Sequence, residues 1–438
     1  MAHFPDKGTT TQPLKCPQFS KPAPPFEFIK GYLPDVYGVD RQRRLASLLN
    51  IGEPPLMTRI LTQTILLCFV LSFLACSSGP SLPEYTPDAL GADQVGYLTF
   101  EAVDASRNDR SLVIDVWYPA DPASTTGASA ATYPLSAIFG MESDVALDQV
   151  AVRQESLALL IFSHGYGGIN RQSIALMEAL ASHGFIVAAP EHTGNAQNSF
   201  TDTFDAAASN RVPDLSFVID TMLKRGEDAD DIFYNRIDPE LIGALGHSFG
   251  GMTVIGSATG WAGAEADPRV KVIAPMSAVI DREIQEDERE SENGGFSAEQ
   301  LGKITIPTML VGGTEDISVP IENNDIAFSQ ITQAPTLYKV AISGANHTHF
   351  TNVCDIGDFL IETGFAKENW ENMGAGDLID PYNATCTEEA FPMGEFNRLL
   401  NIFVVSFFKL ELMGDGAFQS YLDAEFASGE PAVELNMK

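Results

Sequence analysis

Basic residues are scarce in this chain. Over 438 residues, 26 Lys and Arg stand against 59 Asp and Glu, a formal charge of −33. A surface of that sign repels phosphate backbones, which excludes nucleic acid as a partner and leaves no basic patch for anionic lipid. Internal repeats are absent, and a long apolar run occurs only once. With 45% hydrophobic residues and a mean hydropathy of zero, the composition is that of a globular protein and excludes a disordered or fibrous one. The length allows two or three domains, or one large α/β domain with additions.

The single apolar run lies in residues 57–76 (MTRILTQTILLCFVLSFLAC), where Arg59 precedes Ile60–Ala75 and Cys76 follows. The run is short for a bilayer span and matches the apolar region of an export signal. FLAC before two serines reads as a lipoprotein cleavage site, with Cys76 the lipidated first residue of an exported protein anchored to a bacterial envelope. Residues 1–56 are Pro-rich and without steady periodicity. They read as a disordered extension or as sequence ahead of a true start at Met57. The rival is a membrane anchor with Arg41, Arg43 and Arg44 on the cytoplasmic side. Residues 77–94, rich in Ser, Pro and Gly, read as a tether to a body over 95–438. Of five cysteines, Cys16 and Cys68 fall in the discarded part and Cys76 takes lipid. Cys354 and Cys386 remain, as one disulfide in an oxidising compartment or as two unrelated buried thiols.

In the body, short apolar runs alternate with helical stretches. Val95–Val103 and Ser111–Tyr118 alternate like the strands of a hairpin. Leu157–Phe162, Phe185–Ala189, Leu241–Leu245, Val270–Pro275, Thr308–Val311 and Leu337–Ile342 read as buried strands. Helices are expected at Gln172–Ala181, Asp214–Lys224 (starting after Pro213), from Gly250, near Ile321–Ile331, and at Glu395–Leu412. This order implies an α/β fold, a mostly parallel sheet with helices on both faces and functional residues at the carboxyl ends of the strands. Asp281–Lys303, heavily acidic, and Glu368–Pro392 look inserted. Each is expected either to cap a site or to be solvated surface loop.

After the run LIGAL comes Gly246-His247-Ser248-Phe249-Gly250-Gly251, a Gly-x-Ser-x-Gly turn between a strand-like and a helix-like segment. A serine there is exposed on a tight elbow, where it can act as a nucleophile. It needs a base, and the base needs an orienting acid; on this elbow the order is Ser, acid, His. Of seven histidines only His347 and His349 follow Ser248. His347, directly after a strand, is the expected base, and His349 is expected to pack or support. Asp316, after PTMLVGGTE, is the expected acid, with Glu315 and Asp281 as alternatives and Gly312-Gly313 supplying the turn. The oxyanion needs two backbone donors. The N–H groups of Phe249 and of Tyr166, in Phe162-Ser163-His164-Gly165-Tyr166-Gly167-Gly168, are the candidates, with His164 bracing that loop.

These motifs carry a resemblance. FSHGYGG, ALASHGFIVAAPEH (residues 179–192) and ALGHSFGG resemble the platelet-activating-factor acetylhydrolase group of the α/β-hydrolases. PTMLVGGTED with ISGANHTHF resembles the dienelactone-hydrolase and bacterial cutinase or polyester-hydrolase relatives. The resemblance covers about residues 95–410 and implies an α/β-hydrolase fold with small inserted loops. It also implies a serine esterase acting on a small-molecule ester without metal or organic cofactor. In the plasma acetylhydrolase the acid follows the strand after the nucleophile helix. The matching stretch here, VIAPMSA, has no carboxylate, which moves the acid one strand on to Asp316 and weakens a narrow phospholipid assignment. The expected activity is cleavage of short, neutral carboxylic esters through an acyl-enzyme. The alternatives are a lipase-like or polyester hydrolase, and an inactive, surface-anchored binding lipoprotein.

Overall fold

The computed structural model describes residues 82–135, 139–284 and 291–438. The expectations placed on residues 1–76, including the lipidated Cys76, lie outside them. Among the described residues no helix is long and apolar enough to cross a membrane.

The body opens with a hairpin. β1 (Val95–Asp104) and β2 (Arg110–Pro119) pair antiparallel from Val95 opposite Pro119 to Asp104 opposite Arg110. β3 (Ala130–Pro134) and β4 (Gly140–Asp148) extend that edge and are absent from the sequence reading, because their runs are short and half exposed. Then come β5 (Leu157–Ser163) and β6 (Phe185–Glu191), a two-residue ribbon of β7 (Asn195–Ala196) and β8 (Ser199–Phe200), and β9 (Ile237–His247). β10 (Val272–Met276), β11 (Thr308–Gly313), β12 (Leu337–Ile342) and β13 (Val433–Met437) complete the set. The main sheet runs β3-β4-β1-β2-β6-β5-β9-β10-β11-β12-β13. Strands β6 to β12 are mutually parallel, and antiparallel partners close both flanks. β5, β10, β11 and β12 are buried along their whole length. Continuous apolar runs are what strands covered on both faces require.

Helices cover each face. α1 (Ile174–Ser182) precedes α2 (Phe204–Glu227), α3 (Phe249–Thr259), α4 (Ala298–Leu301) and α5 (Glu322–Gln330). α6 (Val353–Glu362), α7 (Ile379–Thr385), α8 (Met393–Glu411) and α9 (Ala424–Ser428) follow. α1 and α8 pack on one face, around Leu180, Phe403 and Phe407. α2, α3 and α5 pack on the other, around Val218, Ile255 and Ala327.

Helix α2 departs from expectation. It begins ten residues before Asp214, where the Thr203 hydroxyl accepts the Ala206 N–H, and it carries Pro213 in its interior. Proline removes the hydrogen bond to the carbonyl four residues back. That residue, Ser209, is exposed, so water can take its carbonyl. The chain passes from β5 through α1 to β6 on one side, then through α2 to β9 on the other. The crevice of such a sheet opens at that reversal, beyond the ends of β5 and β9.

Candidate active site

Ser248 sits at that crevice. It is the N-cap of α3 with φ 58° and ψ −120°, a conformation costly for any residue with a side chain. The surrounding backbone holds it there. A Cβ at Gly250 would stand 1.8 Å from the Ser163 carbonyl oxygen, and one at Gly246 would stand 2.5 Å from that of Gly250. The glycines of the motif therefore serve close backbone approach between β5, β9 and α3.

Asp316 and His347 are brought together by the next two strands. His347 Nδ1 donates to Asp316 Oδ2 at 2.8 Å, and Asp316 Oδ1 accepts the amides of Ser318 (3.0 Å) and Val319 (2.7 Å). Asp316 is buried, whereas Glu315 beside it is exposed. Asp281 caps the Glu283 amide two residues on. Gly312 and Gly313 do not make the expected turn; both are the last residues of β11. A Cβ on Gly313 would meet the Ala345 carbonyl oxygen at 2.2 Å. Its absence lets the loop after β12 cross over β11 and deliver His347. His349 is buried, and its ring nitrogens engage Asn346 (2.8 Å to Oδ1) and the Phe391 carbonyl (2.9 Å), so it secures the turn that carries His347.

Ser248 and His347 line one cavity of about 340 Å³. Tyr166, Phe204, Phe249, Met252, Val279 and Val319 make its apolar wall, and Arg282, Ser291 and Gly294 reach it from the acidic insertion. Ile317, 92% exposed, sits at its rim. The insertion Glu368–Pro392 does not line this cavity: its Met373 and Leu378 line a separate apolar one of about 490 Å³. Cys354 on α6 and Cys386 after α7 form a disulfide, with Cα atoms 5.5 Å apart.

The two residues that carry the candidate oxyanion donors line the same cavity. The first amides of a helix have no intrahelical acceptor, and Phe249 is the first residue of α3. Tyr166 lies in the loop after β5, where a Cβ on Gly165 would stand 3.5 Å from Ser248 Cβ. Gln172 ties that loop to the elbow: its Oε1 accepts the Gly165 N–H at 3.0 Å and its Nε2 donates to His247 Nδ1 at 2.9 Å. The His247 ring in turn lies 4.4 Å from that of His347. Burial, and then the neighbouring His347, keeps His247 neutral by holding its pKa well down.

Sequence reasoning missed the layer beneath. His192 Nε2 meets Ser163 Oγ at 3.0 Å, and His192 Nδ1 donates to Asp214 Oδ2 at 2.8 Å. Asp214 also receives Arg110 at both carboxylate oxygens (2.8 Å each) and Arg107 at 2.7 Å. Burial drives its pKa up, but the hydrogen bonds from Arg110 and His192 outweigh that and hold it low. Burial lowers His192 to about 3, so this ring is neutral. The sequence carries no signal for it, since His192 stands in PEHTGN and Asp214 in SNRVPDLS, both polar stretches. Among the described residues no group of His, Cys, Asp and Glu is arranged to hold a metal ion.

Parts of the chain match known proteins. Residues 127–230 match the family model described as platelet-activating factor acetylhydrolase, isoform II; the match takes in the loop after β5 and ends before Ser248. The platelet-activating factor acetylhydrolase of Bos taurus is 32% identical over 23% of this chain and 32% of its own length. A cutinase of Thermobifida alba is 26% identical over 44% of this chain and 53% of its own. The chain thus spans about half, or less, of these curated relatives. Among solved structures, a ferulic acid esterase from Streptomyces cinnamoneus superposes with a TM-score of 0.56, over 82% of this chain and 99% of that one, at 22% identity. The fold is that of the α/β-hydrolases, and the likenesses fall within their esterase group.

Proposed function

We propose that this protein hydrolyses carboxylic esters through an acyl-enzyme on Ser248. The observation that carries the reading is the Asp316–His347 pair, held at 2.8 Å, with His347 lining the same cavity as the strained elbow serine. His347 takes the hydroxyl proton as Ser248 Oγ attacks the ester carbonyl. The amides of Phe249 and Tyr166 hold the oxyanion. The tetrahedral species collapses, the C–O bond to the alcohol breaks, and His347 returns the proton to the leaving alkoxide. Water, deprotonated by His347, then releases the acid and restores Ser248. Asp316 fixes the imidazole with its proton on Nδ1 and stabilises the imidazolium form.

The cavity of about 340 Å³ with its aromatic wall favours short, neutral acyl groups. The exposed Ile317 at the rim, with Phe200 exposed nearby against Tyr166, supports a second reading, a lipase-like or polyester hydrolase whose substrate extends past the rim. A series of p-nitrophenyl esters from acetate to decanoate separates the two: turnover falling with chain length fits the first, rising turnover the second. Ser248→Ala should lower kcat on the butyrate ester by about 10⁴-fold or more with an unchanged melting temperature. Activity equal to the unsubstituted protein would overturn the assignment.

The proposal extends to location: export, with lipid on Cys76 as the membrane contact. A disulfide at Cys354–Cys386 suits an oxidising compartment. The mass of the mature native protein tests it, and a form that retains residue 40 sinks it.

A further inference from the structure

Beneath the loop after β5 lies a cation that the mechanism above does not use. Arg211 of α2 is fully buried. Its Nη1 donates to the His164 carbonyl (2.5 Å) and Ser163 Oγ (3.2 Å), and its Nη2 to the Gly165 carbonyl (2.9 Å) and Asn195 Oδ1 (2.5 Å). Every one of these acceptors is neutral. The nearby carboxylate, Asp214, is occupied by Arg110, Arg107 and His192. A buried guanidinium without a carboxylate in contact is costly, and burial brings Arg211 down to about 9. At neutral pH it is still charged. A fold that keeps an expensive charge in one place invites the question of what the charge acts on.

Of the groups it holds, the Gly165 carbonyl belongs to a peptide of the candidate site. The Gly165 carbonyl and the Tyr166 N–H belong to the same trans unit, so they point in opposite directions. The carbonyl is turned into the interior, where it accepts Arg211 Nη2, His164 Nδ1 (2.7 Å) and the Gly168 amide (3.2 Å). His164 Nε2 accepts the His192 amide at 3.1 Å, which puts the ring proton on Nδ1 and makes that nitrogen a donor. With the carbonyl held inward, the N–H faces the cavity that Tyr166 and Ser248 line. A charged donor on the carbonyl draws electron density from the peptide and strengthens its N–H as a donor. The same guanidinium lies 4.8 Å from the ring centre of Phe249, the residue that carries the second candidate donor.

We propose that Arg211 is a positioning residue of the oxyanion hole: through the Gly165 carbonyl it orients and polarises the peptide whose N–H at Tyr166 holds the oxyanion. The inference rests on the serine-esterase reading of Ser248. Its charge is felt most by the tetrahedral state, where negative charge sits on the former carbonyl oxygen, and least by the bound ester.

The test compares Arg211→Met and Arg211→Lys with the unsubstituted protein, each first checked by thermal melting. Turnover is read on p-nitrophenyl butyrate. Affinity is read for a trifluoromethyl ketone, which forms an oxyanion on Ser248, and for the matching methyl ketone, which binds as a neutral carbonyl. Arg211→Met should lower kcat by about 10–100-fold with KM nearly unchanged, somewhat less than the loss of a direct oxyanion donor. It should weaken the trifluoromethyl ketone by the same factor and leave the methyl ketone as it was. Arg211→Lys should recover much of both losses. Equal weakening of both ketones, or a kcat that stays at the unsubstituted level, overturns the proposal. If Arg211→Met does not fold, Arg211→Gln, which keeps a donor and loses the charge, takes its place: a parallel fall in kcat and in trifluoromethyl ketone affinity supports the proposal, and no change in either overturns it. A fluorophosphonate separates the two levels. An unsubstituted protein unlabelled at Ser248 overturns the esterase reading together with this one, whereas labelling alongside indifferent Arg211 variants overturns only the role of Arg211.

Discussion

At the scale of single residues the described part of the molecule holds two groupings of Ser, His and Asp. Ser163, His192 and Asp214 are joined at 3.0 and 2.8 Å, but all three are fully buried and Ser163 closes a regular strand. Ser248 stands at positive φ on an open cavity, and His347 reaches it from another loop. Access and backbone conformation, not residue type, separate a candidate nucleophile from an internal strut. The buried grouping has a consequence for pH. His192 is held near 3 in the folded protein, well below its ordinary value, so below about pH 6.5 the unfolded chain binds a proton that the folded one refuses. Its contribution to stability is complete above that pH and is lost as pH falls toward 3. His192→Asn should therefore remove about 1.4 kcal/mol of the stability lost between pH 7.5 and 5.5, measured by urea unfolding at both values. An identical pH dependence in both proteins would show that His192 already titrates in the fold.

At the scale of elements, what the sequence shows depends on how local the cause is. The runs of β5, β10 and β11 were legible because strands covered on both faces are apolar almost throughout. The start of α2 was not. Pro213 is a sound start signal on local grounds, and only packing of Ala207, Ala208, Val212 and Leu215 against the sheet carries the helix through it. The glycines of β11 serve close approach and not a turn: Gly313 lets the loop after β12 pass, and Gly312 leaves room for Asn324 of α5. The segment from α6 to α7 is stapled by Cys354–Cys386 over a separation of 32 residues. It also buttresses the His347 turn, where Asn346 Nδ2 donates to the Ala384 carbonyl at 3.0 Å. Replacing both cysteines by serine should cost about 3–4 kcal/mol in denaturant unfolding, the loop-closure entropy of a loop of that size. An unchanged midpoint would mean that packing alone holds the segment.

At the scale of the whole molecule the deficit of basic residues returns as a field. Residues 1–75 hold more basic than acidic residues, so the negative charge belongs to the body. Much of it is exposed, and salt screens such charge over a Debye length of about 10 Å at 0.1 M. Esters that carry a carboxylate should therefore be turned over with a lower kcat/KM than neutral ones of the same size, and should gain as salt rises from about 0.01 to 0.2 M. Neutral esters should barely respond. An anionic ester that loses rate with added salt would place the control with Arg282 at the cavity wall rather than with the overall field.

The sequence by itself determined the class of fold, the elbow and its serine, and the order in which acid and base follow, because each leaves a local mark: a continuous apolar run, a Gly-x-Ser-x-Gly turn, a His or Asp just past a strand. It left Asp316, Glu315 and Asp281 to be weighed by position. Tertiary structure decided which of them pairs with His347, by burying Asp316 under two amides and crossing the His347 loop over Gly313. Arg211 was decided there too. A buried cation bonded to carbonyls more than forty residues away leaves no periodic or spaced mark in the chain, since the partners that hold it are backbone atoms, which every residue carries alike.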